Sequence, residues 1–310
     1  MRTDDPVVAW SDITAQPLPL PGRRIAYGSD PEQFGELRLP SGDGPHPVVV
    51  VLHGGCWQSA YDLEHISHVS AALARSGLAV WTVEYRRLGH AGGGWTGTFD
   101  DVARGTNHLR ALAEEHVLDL DRGVVLLGHS AGGHLALWLA SRRTVLPVEQ
   151  IEGEPVEIKR AENERANSNP VPSEPAEAAS FHFGLTLAVR GVVSLAGITD
   201  LRDYALGDGS CNAAVEPLLG GTFDAVPGRY AAASPIEQLP LGVPLRLLHG
   251  HLDSVVPLAQ SERFAARARA AGDVAVVEVI EGAGHFDPIA PFAPTWPTVE
   301  AAVHEFFTAP

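Results

Sequence analysis

The sequence predicts an α/β protein: a mostly parallel, twisted sheet with helices on both faces. Three observations carry this. Short, mainly apolar runs recur along the chain, continuous in Val48 to Leu52 and Val124 to Leu127, with Thr82 as the one polar residue of Leu78 to Val83 and Arg190 and Ser194 as those of Val189 to Leu195. Runs without polar alternation are what strands buried on both faces require. Stretches of helical periodicity lie between them, so strand and helix alternate. The chain has 310 residues, 45% of them apolar, which suits one large α/β domain over residues 1–310.

The elements follow in order. Residues 1–22 are Pro-rich and without clear period, and read as an arm on the surface. Arg24 to Tyr27 and Phe34 to Leu39 read as two strands joined through Gly28, Asp30 and Pro31, an antiparallel edge hairpin. After the turn at Ser41-Gly42-Asp43-Gly44-Pro45 comes the first buried strand, Val48 to Leu52. Asp62 is placed to cap a helix reaching Ala74, and Leu78 to Val83 is the next strand. Thr98 is placed to cap a long helix over about 99–116, with Asp100 and Asp101 in its positive first turn. Val124 to Leu127 is a strand, and the helix after it ends near Arg142-Arg143. Then come strands at Val189 to Leu195, Val243 to Leu248 and Val274 to Ile280, with helices at about 258–271 and 298–307. Two segments break the rhythm. Residues 144–183 are Glu- and Pro-rich and read as a polar insertion, disordered or a flap. Residues 199–235 contain short helical pieces and read as a small cap-like excursion placed to wall a pocket.

Net charge is −16, with basic residues scattered, which argues against nucleic acid or an anionic membrane as partner. The N-terminus lacks an apolar signal core and no apolar run approaches 18 residues, so a soluble cytoplasmic protein is the expectation. Its two cysteines, Cys56 and Cys211, are then expected to be reduced, with a Cys56–Cys211 bridge left open. Cys/His metal spacing is absent. His65 and His68, three apart on a helix, read as a solvated face rather than a metal site.

The chemistry centres on Gly128-His129-Ser130-Ala131-Gly132. A serine in G-x-S-x-G between a buried strand and a helix is the setting of a nucleophile elbow. The next N–H, that of Ala131, then faces an oxyanion. His53-Gly54-Gly55-Cys56-Trp57 follows an earlier strand, and the N–H of Gly55 or Cys56 is the candidate second donor. Asp253 sits in the turn after one strand, and His285 in a Gly-rich loop after the next. The order Ser130, Asp253, His285, each after a strand of one sheet, belongs to one serine-hydrolase architecture. Trp57, Trp95 and Phe286 are candidate substrate contacts on the loops of that face. His129 and His134 read as structural, and Arg86 and Arg87 as loop support.

These motifs resemble the α/β-hydrolase superfamily, in the esterase/lipase-like branch with an H-G-G-x-W oxyanion motif, over residues 34–308. His53 to Gln58 is similar to arylformamidases of the kynurenine formamidase type. Glu84-Tyr85-Arg86-Arg87 is similar to bacterial feruloyl-esterase-like hydrolases. The resemblance implies an α/β-hydrolase fold and an acyl-enzyme on Ser130, with His285 as base and Asp253 orienting it. A carboxylic ester of a small or aromatic substrate is the expected target, without metal or organic cofactor. The alternatives are an arylformamidase, a prolyl-oligopeptidase-like peptidase and a non-catalytic binding protein on this scaffold.

Overall fold

The computed structural model describes residues 7–142 and 184–308. The expected insertion at 144–183 lies outside the described residues. The chain opens with helix α1 (Trp10–Thr14), then β1 (Arg23–Ala26), β2 (Phe34–Arg38) and β3 (His46–Leu52). A single 3-10 turn at Leu63–Ile66 leads into α2 (Ser67–Arg75), then β4 (Ala79–Val83). Next are α3 (Gly97–Asn107), α4 (Leu109–Glu115), β5 (Leu118–Asp119), β6 (Val124–His129) and α5 (Ala131–Ala140). After β7 (Val189–Leu195) come four short helices: α6 (Leu201–Tyr204), α7 (Ser210–Ala213), α8 (Val215–Leu219) and α9 (Pro227–Ala233). The chain closes with β8 (Leu245–Gly250), α10 (Ala259–Ala270), β9 (Ala275–Ile280) and α11 (Trp296–Thr308).

The strands form one sheet in the order β1-β2-β4-β3-β6-β7-β8-β9, with short β5 paired to β3. The β1–β2 and β2–β4 pairings are antiparallel, and from β4 through β9 every pairing is parallel. Strand β3 explains why its sequence does not alternate. Val48, Val50 and Leu52 pack into a core with α3, α5 and α10. Val49 and Val51 pack into a second core with α2 and α11. With apolar layers on both faces, every residue of the run is buried, although the pleat still sends neighbours to opposite sides.

Three local expectations are corrected. The helix expected at about 99–116 is two, α3 and α4, separated at His108. Thr98 lies inside α3 rather than at its cap, because its Oγ1 donates to the carbonyl of Arg86 instead. Within the described part of the arm, Ala9 N donates to Asp12 Oδ2 at 2.8 Å, closing the first turn of α1, and Ile13 is buried in the second core. The thiols expected to be reduced form a disulfide between Cys56 and Cys211, 155 residues apart in sequence. The excursion after β7 folds back over the loop after β3 and brings the two Cα atoms to 4.9 Å, within bridging distance. Among the described residues no helix is long and apolar enough to cross a membrane.

Candidate active site

The site lies at the carboxyl ends of β3, β6, β8 and β9. Ser130 joins β6 directly to α5 and has φ 56° and ψ −119°, a conformation that L side chains rarely adopt. It persists because the surroundings fix it. Ser130 N donates to Leu195 O at 2.9 Å, and Ser130 O accepts from His134 N in the first turn of α5. The flanking glycines are required by contact. A Cβ on Gly128 would lie 2.0 Å from Gly132 O, and one on Gly132 would lie 2.1 Å from Leu52 O. The elbow is a place where helix and two strands touch through bare backbone.

Ala131 is the first residue of α5, where a helix leaves its N–H groups unpaired. The loop after β3 carries three successive residues in the left-handed region: Gly55 at φ 101°, Cys56 at 53° and Trp57 at 56°. Among the described residues no hydrogen bond takes up the N–H of Gly55, Cys56 or Ala131.

Side chains anchor this loop. His53 Nε2 lies 2.9 Å from Glu84 Oε1, and both side chains are wholly buried. Glu84 also accepts from Leu63 N and Tyr85 N, and Arg87 lies 3.3 Å away. Burial pushes the Glu84 carboxyl up, but the charge and hydrogen bond of His53, with Arg87 and the Tyr85 N–H, outweigh it and hold it below its ordinary value. Trp57 Nε1 donates to His134 Nδ1 at 3.3 Å, and His134 Nε2 to the carbonyl of Ala233 at 3.0 Å. The tautomer follows from those partners. Trp57 has no exposed surface, so the expected substrate contact is corrected: its indole holds the loop from beneath. Trp95 is half-buried against Phe99 with Arg229 near its ring, and Phe286 packs between Trp10 and His285.

Asp253 and His285 meet as expected from the sequence. His285 Nδ1 lies 2.7 Å from Asp253 Oδ2, with the carboxylate fully buried. Asp253 Oδ1 accepts from the N–H groups of Val255 and Val256, each at 2.8 Å. His249 Nε2 faces Val256 O at 2.8 Å and Asp253 Oδ2 at 3.3 Å. Burial would raise the Asp253 carboxyl. The hydrogen bonds from His249 and His285, the charge of His285 and the Val256 N–H overcome this and hold it well below the usual carboxylate range. An acid that stays ionised beside Nδ1 fixes the imidazole tautomer and leaves Nε2 free to take a proton.

Arg86 is a bidentate partner of Asp101, and Arg87 is buried among Glu84, Glu32 and Tyr61 O, so both support loops as expected. His65 is not solvated: it is buried, with Nε2 2.9 Å from His129 Nδ1. Glu84 and His249 are supporting residues to which motif reading assigned no role. A carboxylate immediately after the buried run of β4 was a usable signal, since such a charge must find a partner. Among the described residues no group of three or more potential metal-binding side chains is brought together.

A parallel sheet whose strand ends carry an elbow serine, an Asp–His pair and a loop of free N–H groups defines the α/β-hydrolase fold. The solved structures agree. Esterase B from Lactobacillus rhamnosis superposes with a TM-score of 0.71 at 18% identity, over 95% of this chain and 89% of that one. A truncated carbohydrate esterase from gut microbiota gives 0.70 at 21% identity, over 94% and 98%. The model of the BD-FAE family matches residues 36–267, and the chain belongs to that family. It is also similar to esterase LipC of Mycobacterium tuberculosis, 26% identical over 286 residues. That match takes in 90% of this chain and spans 63% of the relative's length.

Proposed function

We propose that the protein is a serine esterase that cleaves carboxylic esters of small or aromatic substrates through an acyl-enzyme on Ser130. The observation that carries this is the left-handed Ser130 at the β6–α5 junction, on the strand-end face that also holds the 2.7 Å Asp253–His285 pair. His285 takes the Ser130 proton as the oxygen attacks the acyl carbon, and Asp253 stabilises the imidazolium. The N–H of Ala131, with that of Gly55 or Cys56, receives the developing oxyanion, a contribution of about 3 kcal/mol per donor in comparable sites. His285 then protonates the leaving alcohol, and water attacks the acyl-enzyme with the same base. The similar proteins, esterases and a carbohydrate esterase, support ester bonds over the arylformamide alternative.

A cavity of about 360 Å³ opens beside the residues that follow the oxyanion loop, lined by Gln58, Ser59, Leu88, Ala213, Ala214 and Pro217 among others. The excursion at 199–235 supplies Ala213, Ala214 and Pro217 to its wall. The Cys56–Cys211 bridge favours an oxidising compartment over the cytoplasm expected from the N-terminal sequence.

The test is turnover of p-nitrophenyl acetate, butyrate and octanoate, methyl ferulate and N-formylkynurenine by the parent and Ser130→Ala. Ester turnover that the variant loses, with fluorophosphonate labelling only of the parent, is expected. Preference for the formamide would replace the ester reading, and an unlabelled, folded parent would leave a binding protein.

A further inference from the structure

Behind the Asp253–His285 pair lie two histidines that the reaction does not use. His129 Nε2 is 2.9 Å from the carbonyl oxygen of His285. A carbonyl only accepts, so this nitrogen carries the proton, and in the neutral ring Nδ1 is bare. It must then accept from His65 Nε2, 2.9 Å away. That leaves His65 Nδ1 bare, and this atom is buried without a hydrogen-bond partner among the described residues. The donor direction therefore runs one way, from His65 through His129 to the main chain of His285.

Burial above all, then the charges of neighbouring histidines, keeps both rings neutral. For His129 these are His285 and His249, against the opposing His285 carbonyl and Asp253, and its value falls to about 3. For His65 they are His129, His53 and His285, and its value lies well below the ordinary one.

The pair touches both halves of the site. A Cβ on Gly54 would lie 2.8 Å from His65 Nε2 and 3.1 Å from His129 Nδ1, so the oxyanion loop rests directly on it. On the far side, Trp10 of α1 stacks on His65, with ring centroids 4.9 Å apart and planes 24° apart. Trp10 also lies 5.6 Å from Phe286, the residue after His285. A second tie joins the arm to this loop: Asp287 Oδ2 accepts from Val8 N at 3.0 Å and from Gly284 N at 2.8 Å.

We propose that Trp10, His65 and His129 form a positioning stack, clamped by the N-terminal arm, that holds the His285 loop and the oxyanion loop in one relative placement. None of the three touches a reacting atom. The inference rests on the esterase reading above. Its physical content is that the base and the oxyanion donors belong to separate loops, and this stack contacts both. A misplacement of one against the other on the order of 1 Å can cost about 100-fold in rate. It leaves ground-state binding little changed, which places the effect in kcat.

The test measures kcat and KM on p-nitrophenyl acetate for four variants, with melting temperatures beside them. His129→Phe keeps a ring and removes both hydrogen bonds, and a kcat loss of about 10- to 100-fold with KM within about 2-fold is expected. His129→Gln offers an amide donor near the position of Nε2, and recovers most of that loss. Trp10→Ala, in the half-buried arm, lowers kcat about 3- to 10-fold with KM unchanged. His65→Phe behaves like His129→Phe. If the buried variants do not fold, Trp10→Ala decides alone. Parent kcat in Trp10→Ala, or a His129→Phe loss that glutamine does not relieve, overturns the inference even if melting temperatures fall. Fluorophosphonate labelling of Ser130 in the parent separates this from failure of the esterase reading: an unlabelled parent overturns both.

Discussion

The elbow and the loop after β3 stand side by side at the carboxyl ends of the two central strands β6 and β3, and both hold non-glycine residues in the left-handed region, yet they are held by different means. The elbow is fixed by backbone. Ser130 is pinned by Leu195 O and His134 N, and Gly128 and Gly132 admit the helix and strand to van der Waals contact. The loop of residues 53–57 is fixed by side chains drawn from far along the chain. His53 reaches Glu84, Trp57 reaches His134, and Cys56 is bonded to Cys211. Backbone anchoring is local and leaves a motif in the sequence. Side-chain anchoring is distributed and leaves none, so each tether can be lost singly and graded.

The comparison breaks most sharply at Gly132→Ala. The added Cβ meets a backbone oxygen 2.1 Å away, which no side-chain movement relieves. A loss above about 4 kcal/mol, read as failure to fold or a collapsed denaturant midpoint, is expected.

Acid acts on both regions at once. His129 beside the elbow and His134 beneath the loop are buried and neutral, with values lowered from 6.5 to about 3 and about 4, burial being the main cause in each. Below pH 6.5 the unfolded chain binds protons that the folded protein refuses, so stability rises with pH across this interval. The contribution is complete above 6.5 and is lost as pH falls toward 4, by about 1.4 kcal/mol per pH unit for each group. Melting temperature recorded between pH 4 and 8 checks this; a flat profile would place one or both rings in solvent.

On the loop side, Glu84→Ala leaves His53 buried without its carboxylate and Arg87 with Glu32 alone. A cost of about 3–5 kcal/mol and loss of esterase activity are expected, read by urea unfolding and turnover. Reducing the Cys56–Cys211 bridge removes a constraint across 155 residues. About 2–5 kcal/mol should be lost, seen as a lower melting temperature with reductant and the same temperature for Cys211→Ser with or without it. The smallest effect is expected for His134→Leu. It leaves the Trp57 N–H without an acceptor, costs about 1–3 kcal/mol, and lowers kcat more than it raises KM. Equal kcat in the variant would show that the loop keeps its geometry without that tether.

Much of the fold was legible because its signals are local. A parallel strand buried on both faces favours a mainly apolar run, and β3, β4, β6 and β7 lie where such runs do. The Asp253–His285 contact followed from the order of strand-end motifs, since neighbouring parallel strands β8 and β9 bring their following loops together. Other features were hidden because sequence distance says nothing about them. His65 and His68 look alike on a helix, but only His65 faces His129. Trp57 resembles a surface aromatic of a binding loop until His134, 77 residues on, is found beneath it. Thr98 reads as a cap because capping chemistry is local, whereas its hydroxyl is claimed by Arg86 O across a loop.

By itself the sequence determined the mostly parallel α/β architecture, the strand-to-helix turn at Ser130 and the strand-end turns that carry Asp253 and His285, because periodicity and turn chemistry act over a few residues. Only the tertiary structure decided what holds the loop after β3, that Cys56 meets Cys211, and that the arm around Trp10 packs behind His285. Those contacts join segments separated by tens to hundreds of residues. Their partners are selected by the shape and satisfaction of the packed interior, and no short pattern encodes that.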